Sequence, residues 1–212
     1  MLAALAVQPG RPVSTAELSR WLWQDDALPL RPDAAIQTYV CRLRHSLGGN
    51  ASVLTLPSAY MLTIDRHAVD ALAFEDLVRK SAETADMHAS SALLDHALHL
   101  WNGPPLATLP TTEAVAAERT RLNELGLTAT ERRNDLSIKA GRTALLIGPL
   151  TQLVRQFPLR ERFVAQLMAC LAREARRAEA LALYRDMYRR YRDEFGIEPI
   201  AELQDLHRSL LG

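Results

Sequence analysis

The sequence predicts a mostly α-helical protein with one short β-hairpin, and three observations lead to this prediction. Alanine and leucine are abundant among the 48% hydrophobic residues and aromatic residues make up only 6%, which favours a helical core over a sheet-dominated one. Hydrophobic residues recur at steps of three and four over most of the 212 positions. The spacing becomes alternating between Val53 and Ile64, and there it predicts two strands.

The composition excludes several classes of protein. The 25 basic and 25 acidic residues cancel, so no net charge attracts the whole chain to nucleic acid or to a membrane surface. No hydrophobic run approaches the roughly 20 residues that span a bilayer, and residues 1–7 lack the basic region of a signal peptide. The two cysteines, Cys41 and Cys170, cannot form a disulfide framework. We therefore expect a folded cytoplasmic protein that makes no contact with a membrane.

Three helices are predicted in the first 65 residues. A hydrophobic stripe over residues 2–6 predicts a short first helix that ends at Pro9-Gly10. The segment Ser14-Thr-Ala-Glu17 matches a capping box, because the serine hydroxyl can accept from a backbone N–H near the glutamate, and it predicts a second helix to about Trp23. The third helix is expected to begin at Pro32-Asp33, because proline suits a first turn and aspartate suits the positive end of the helix dipole.

The third predicted helix has two contrasting faces, and Gly48-Gly49-Asn50 is expected to end it. At about 100° per residue, its hydrophobic side chains lie within about 40° of one direction: Ile36, Val40, Leu43 and Leu47. The opposite side carries two guanidiniums and other hydrogen-bonding groups: Thr38, Cys41, Arg42 and His45, flanked by Gln37 and Arg44. The DNA major groove accepts such a face, because arginine binds guanine or phosphate and glutamine binds adenine. The alternative interpretation is a solvated helix that is basic by chance.

A predicted hairpin follows the third helix. Its strands cover Val53–Leu56 and Tyr60–Ile64, with a turn at Pro57-Ser58-Ala59. Three helices followed by a hairpin is the order of elements in a winged helix. This order strengthens the case for DNA contact through the third helix.

From Arg66 onward the spacing is helical throughout, with helices expected near 70–85, 88–101, 112–139, 142–156, 159–174, 177–195 and 200–211. Similar stripes begin at Ala144 and Ala178, 34 residues apart, which is the period of tetratricopeptide units and predicts stacked helix pairs. Gly126 is expected to weaken the long helix by about 1 kcal/mol relative to alanine. Gly148-Pro149 is expected to kink its helix or to start a new turn there.

The sequence contains no motif that indicates catalysis, a cofactor or a metal. A phosphate-binding loop, a dinucleotide-binding glycine motif and a nucleophile elbow are all missing. His96 and His99 share a helix face, but no acidic residue or cysteine lies at metal-ligand spacing from them. Cys170 lies in an apolar helix and is expected to be a small buried residue. We expect neither enzymatic activity nor a cofactor or metal.

Eight stretches of the chain resemble the Streptomyces antibiotic regulatory protein family in both order and spacing. Those in the N-terminal part are Pro9–Leu18, Leu22-Trp23 and Ile36–Arg44. Those in the helical part are Leu98–Leu106, Phe157–Arg162, Ala165–Met168, Ala178–Tyr184 and Glu194–Pro199. The resemblance covers essentially the whole chain.

This resemblance implies a transcriptional activator, with an OmpR-like winged helix over residues 1–65 and a tetratricopeptide-like bacterial transcriptional activator domain over 66–212. Such a protein is expected to bind direct repeats in double-stranded promoter DNA, to form a homodimer and to contact the sigma or alpha subunit of RNA polymerase. Its expected target is a biosynthetic gene cluster of the kind that makes antibiotics. By position, the resemblance assigns base contacts to Thr38 and Arg42, a backbone contact to Arg44 and a phosphate contact to Thr55.

The sequence departs from the family in three ways. The small N-terminal sheet that begins the family's winged helix is missing, which a misassigned start codon, a lost segment or a degraded domain would each explain. Leu56 and Ala59 replace the usual basic residue and glycine of the wing, so we expect no minor-groove arginine and a turn that avoids positive φ. Residues 1–65 carry five arginines and five acidic residues. These departures favour a second hypothesis: a helical-repeat interaction module whose degenerate winged helix does not bind DNA.

Overall fold

The computed structural model describes residues 1–48 and 51–212, and the chain divides into two compact units, residues 1–129 and 130–212. The mostly helical architecture is confirmed. The strands are β1 (Val13–Ser14), β2 (Ser52–Leu56) and β3 (Ala59–Thr63). The helices are α1 (Leu2–Ala6), α2 (Thr15–Leu22), α3 (Pro32–Ser46), α4 (Asp70–Glu83), α5 (Met87–His99), α6 (Glu113–Lys139), α7 (Ile147–Gln156), α8 (Glu161–Arg173), α9 (Arg177–Arg190) and α10 (Ala201–Leu211). The boundary expected at residue 65, between the winged-helix domain and the activator domain, stays a prediction.

The N-terminal part of the first unit has the predicted winged-helix order, with three helices before a hairpin. Its antiparallel sheet has the strand order β1-β3-β2, so β3 lies in the centre. The two-residue strand β1 was not predicted from the sequence. The small core between the helices and the sheet contains Leu5, Leu18, Ile36, Val40 and Leu62, all almost completely buried.

Local sequence signals position the starts of α2 and α3. The Ser14 hydroxyl accepts a hydrogen bond from the backbone N–H of Glu17 at 3.1 Å, which confirms the predicted cap. Pro32 lies in the first turn of α3, as predicted. The helix ends at Ser46, and of the expected stop signal, Gly49 and Asn50 lie outside the described residues.

The turn of the wing differs from the prediction. Ala59 already belongs to β3 and pairs with Leu56, so only Pro57 and Ser58 connect the strands. Ser58 has a φ of 53°, and the expectation that this turn avoids positive φ is therefore wrong. Proline holds its own φ negative, so the second residue of so short a turn adopts the left-handed conformation. The Ser58 carbonyl also accepts from the N–H of Thr15 at 3.0 Å, which holds the turn against the start of α2.

The rest of the first unit consists of α4, α5 and the N-terminal part of α6. The rings of Phe74 and Trp101 pack with centroids 5.2 Å apart. Gly126 faces this cluster, because a Cβ atom built there would lie 3.0 Å from a ring carbon of Trp101. The glycine in the middle of α6 therefore makes room for an indole ring.

The second unit contains the end of α6 and the helices α7 to α10. Its core includes Leu150, Phe163, Met168 and Leu203, together with Cys170, which is fully buried as expected. Burial raises the pKa of the Cys170 thiol to about 11. The buried side chain of Gln166 donates to the backbone carbonyl of Glu131 at 2.7 Å and to a carboxylate oxygen of Asp135 at 2.6 Å.

Two helices of the second unit differ from their predicted extent. A 3₁₀ turn over Ala144–Leu146 precedes α7, and Gly148-Pro149 lies in the first turn of α7. A new helix therefore starts around Gly148-Pro149, and the predicted kink within a longer helix is not observed. The helix predicted over 177–195 is α-helical to Arg190 and continues as a π-helical turn over Tyr191–Phe195. Gly196 ends this turn with a φ of 67°, a left-handed conformation that suits glycine.

Candidate nucleic-acid interface

Helix α3 presents one face to the core and the opposite face to solvent. Ile36 and Val40 are 0% and 1% exposed, and Leu43 and Leu47 are half-buried. The six α3 residues predicted to contact DNA are all exposed: Gln37, Thr38, Cys41, Arg42, Arg44 and His45. The structure therefore brings these six side chains to one side of a single helix, and their role stays a prediction.

The exposed α3 side chains differ in how far they are already bonded within the protein. The Thr38 hydroxyl donates to the carbonyl of Ala34 at 2.9 Å. In the part of the chain that the structure describes, the Arg42 guanidinium has neither an ion pair nor a hydrogen bond. Arg42 is therefore available to an external acceptor, whereas the Thr38 proton is not.

Arg44 and Thr55, predicted separately as backbone and phosphate contacts, are in direct contact. Nε and Nη2 of Arg44 donate to the carbonyl of Val53 at 2.9 and 2.7 Å, and Nη2 also donates to the Thr55 hydroxyl at 2.7 Å. We call these three residues the α3–wing clip, because they join α3 to β2. Since Thr55 accepts from Arg44, its own proton remains free to donate to another group.

An aromatic contact next to this face was not predicted from the sequence. Tyr39 lies on α3 and is 36% exposed, and its ring centroid is 6.1 Å from that of Trp23. Both rings line a groove of about 450 Å³, which Arg42 and Pro110 also border. The position of Tyr39 on α3 could be predicted from the helical spacing. Its contact with Trp23 could not, because it depends on the loop that connects α2 to α3.

The local charge on α3 is positive although the first 65 residues are neutral as a whole. Arg44 and His45 lie in the last turn, and the acidic residue of the helix, Asp33, lies in its first turn. This placement separates the carboxylate from the guanidiniums of Arg42 and Arg44 by at least two turns, because 3.6 residues make one turn. The C-terminal half of the exposed face therefore suits an anionic partner.

Residues 1–48 and 51–212 contain neither a metal site nor a membrane-spanning helix. No group of three or more histidine, cysteine, aspartate or glutamate side chains is placed to hold a metal ion. No helix is both long and apolar enough to cross a membrane.

Comparison with known proteins connects this geometry to a family. Residues 69–211 match the family model described as the bacterial transcriptional activator domain. The regulatory protein AfsR of Streptomyces griseus is 36% identical over an alignment that covers all of this chain and 22% of AfsR. The regulatory protein DnrI of Streptomyces peucetius is 30% identical, and the alignment covers all of this chain and 82% of DnrI. The chain thus spans about a fifth of AfsR and most of DnrI.

A solved structure supports the same relationship. The structure described as Mycobacterium tuberculosis EmbR in complex with low affinity phosphopeptide superimposes with a TM-score of 0.91 and 29% sequence identity. The match covers 99% of this chain and 57% of the EmbR chain. With the winged-helix order of its first elements and the activator-domain match of its helical part, the chain belongs to the Streptomyces antibiotic regulatory protein family of transcriptional regulators.

Proposed function

We propose that the protein is a sequence-specific DNA-binding transcriptional activator. It binds direct repeats in the promoter of a biosynthetic gene cluster as a homodimer, and it recruits RNA polymerase through the sigma or alpha subunit. It acts where promoter DNA is found, in the cytoplasm. The observation that carries the proposal is the exposed face of α3, whose Arg42 guanidinium has no partner within the described residues and whose neighbour Arg44 joins the helix to the wing.

Base recognition is assigned to the exposed side chains in the middle of α3. Arg42 can donate two parallel hydrogen bonds to O6 and N7 of guanine, and Gln37 can pair with adenine. Because the Thr38 hydroxyl already donates to Ala34, Thr38 is expected to contact a thymine methyl group through its own methyl group. Cys41 and His45 border this set and would contact the edges of the site.

Phosphate binding is assigned to the α3–wing clip. The bonds from Nε and Nη2 hold the Arg44 guanidinium in one orientation, and the two N–H groups on Nη1 remain for a phosphate oxygen. The free Thr55 proton can donate to the same phosphate. Contacts of this kind set the position of a protein on the duplex without specifying the sequence.

Protein contacts are assigned to the helical part of the chain. Residues 69–211 match a domain whose description is transcriptional activation, and the relatives named above are regulatory proteins. Helix pairs that stack in tetratricopeptide fashion form extended surfaces that suit protein partners. Dimerisation and polymerase contact are therefore proposed for this part.

A mobility-shift titration tests the proposal with the promoter region next to the gene and with a random duplex of equal length. We expect Arg42→Ala to lose about tenfold to a hundredfold in affinity for the promoter and to bind the random duplex as the wild type does, because one bidentate base contact is worth about 1–3 kcal/mol. Arg44→Ala and Thr55→Val should weaken binding to both duplexes alike. Arg177→Ala, which removes an exposed arginine of α9, is the matched control and should change neither.

The second candidate function is a helical-repeat interaction module that does not bind DNA. Leu56 in place of a basic wing residue and the zero net charge of residues 1–65 favour it. If the wild-type protein shows no preference for the promoter at low salt, the activator proposal is wrong. The module hypothesis then predicts a mixed complex with a full-length relative of the same family, which size-exclusion chromatography would detect.

A further inference from the structure

A groove of about 730 Å³ opens beside α9 and α10 in the second unit. Three aromatic side chains line it: Tyr184, Tyr188 and His207. The Tyr184 and His207 rings are stacked with centroids 3.9 Å apart and planes at 10°. The Tyr184 and Tyr188 centroids are 6.1 Å apart with planes at 27°. The volume falls in the range of about 300–1,000 Å³ that is typical of small-molecule sites.

The polar atoms of these rings have no partners within the described chain. Tyr184 is only 7% exposed, yet its hydroxyl makes no hydrogen bond to any described residue. The Tyr188 hydroxyl and the ring nitrogens of His207 likewise have none there. The Tyr184 hydroxyl is nevertheless open to solvent, because among the described residues that are not exposed Ser81 Oγ is the only fully buried side-chain oxygen or nitrogen without a partner. The two hydroxyls and the imidazole therefore line an accessible groove with hydrogen-bonding groups that a bound molecule can use in place of water.

The charged groups of the groove leave one cation without a carboxylate. Arg189 forms an ion pair with Asp186 at 2.5 Å, so these two charges cancel. Arg185 is exposed and donates only to the backbone carbonyl of Leu181 at 3.3 Å, with no carboxylate partner among the described residues. The lining therefore carries one net positive charge.

The protonation of Tyr184 agrees with a donor role. Burial raises the pKa of its hydroxyl, and Tyr188 and Glu198 act in the same direction. At neutral pH the hydroxyl therefore keeps its proton and can donate it to an acceptor.

We propose that this groove binds a small planar aromatic molecule that carries a carboxylate. The ring of the ligand packs against Tyr188 and the Tyr184–His207 stack, since aromatic rings favour offset stacking. The carboxylate binds the Arg185 guanidinium, whose fork matches two carboxylate oxygens, and it accepts from a tyrosine hydroxyl. The site is distinct from the exposed face of α3, because every residue of it lies in the second unit.

A titration of the full ¹⁵N-labelled chain with 2-naphthoate, followed by NMR, tests the proposal. We expect saturable shifts at the backbone amides of Tyr188 and His207, and at least tenfold weaker binding of the uncharged analogue 2-naphthalenemethanol. Arg185→Gln should weaken naphthoate binding at least tenfold and leave binding of the alcohol unchanged. Arg177→Gln removes an exposed arginine outside the groove on the same helix and should bind naphthoate as the wild type does. Tyr188→Leu should weaken both compounds.

Four results would overturn the proposal. The first is equal binding of 2-naphthoate and 2-naphthalenemethanol, and the second is unchanged naphthoate binding by Arg185→Gln. The third is a set of NMR shifts confined to residues outside the groove. The fourth is a set of NMR shifts in the groove that depend on protein concentration and not on the added ligand. The last result would assign the groove to a second copy of the chain. Because Arg185 is an exposed side chain, its variant tests the site even if Tyr188→Leu fails to fold. No DNA is present in this measurement, so its outcome is independent of promoter binding.

Discussion

At Gly126, a Cβ atom would lie 3.0, 3.1 and 3.2 Å from three ring carbons of Trp101. Helix propensity alone favours alanine over glycine by about 1 kcal/mol in the middle of a helix. Adding a methyl group to a packed contact costs about 1–3 kcal/mol, because the neighbouring side chain must leave its preferred position. The Trp101 ring also contacts Phe74, with centroids 5.2 Å apart, so its movement would disturb a second contact. Packing therefore outweighs propensity at this residue.

We predict that Gly126→Ala lowers the free energy of unfolding by about 1 kcal/mol, the difference between the packing cost and the propensity gain. In a Trp101→Leu background the same change should raise it, because the ring that opposes the methyl group is gone. Urea unfolding of the four proteins in this double-mutant cycle measures both effects. A stabilising Gly126→Ala in the wild-type background would show that the indole moves aside without cost.

The promoter titration separates the roles of Arg42 and Arg44, which lie two positions apart on one helix. Arg42 has no partner in the described chain, whereas Arg44 makes three hydrogen bonds to β2 residues. Loss of sequence preference should follow the first arginine, and uniform loss of affinity should follow the second. If Arg44→Ala loses the preference for the promoter but keeps its affinity for random DNA, the roles assigned to Arg42 and Arg44 are reversed.

Among the elements, α2 and the sheet share a single residue at their junction. The Ser14 backbone pairs with Ala59 in the sheet, while its side chain caps α2 by accepting from Glu17. The next residue, Thr15, donates its N–H to Ser58 in the wing turn. Backbone hydrogen bonds therefore hold the start of α2 against the tip of the wing. The Ser14 hydroxyl, in addition, caps the N-terminus of α2.

We predict that Ser14→Ala lowers the free energy of unfolding by about 1 kcal/mol, because it removes the cap and leaves a helix N–H without its partner. Ser14→Thr keeps a hydroxyl at the same position and favours a strand, so it should stay close to the wild type. Urea unfolding followed by tryptophan fluorescence measures both variants. An equal loss in the threonine variant would contradict the role of the hydroxyl.

For the whole molecule, the absence of net charge limits how strongly one protomer can bind DNA. Residues 1–65 carry five arginines and five acidic residues, so only local contacts attract the phosphate backbone. Three or four phosphate contacts from one protomer correspond to a slope of about −3 in a plot of log affinity against log salt concentration. Binding to paired direct repeats by a homodimer would double the number of contacts.

We predict a slope of about −3 on a duplex with one repeat and about −6 on a duplex with two, measured by fluorescence anisotropy between 50 and 200 mM salt. Arg44→Ala should make the two-repeat slope shallower by about 2, because it removes one cationic phosphate contact from each protomer. The same slope on both duplexes would show that one protomer binds at a time and would contradict the homodimer.

The positions of most helices, the hairpin and the two faces of α3 could be predicted from the sequence. These features depend on residues within a few positions of one another, where spacing and capping act directly. Thus Ile36 and Val40 are buried and Arg42 is exposed, as the helical spacing predicts. The capping role of Ser14 was predictable for the same reason.

The contacts between residues that are distant in the sequence could not be predicted, because they depend on the three-dimensional fold. Arg44 contacts Thr55 because the chain after α3 brings β2 back to the helix, and Gly126 lies against Trp101 because α6 packs against the segment that follows α5. The left-handed Ser58 likewise depends on the pairing of Leu56 with Ala59, and the groove depends on the stacking of Tyr184 on His207. Hydrophobic spacing shows which side of an element is buried, but it contains no information about the element against which that side packs. That choice depends on how the loops return the chain, and therefore on the fold as a whole.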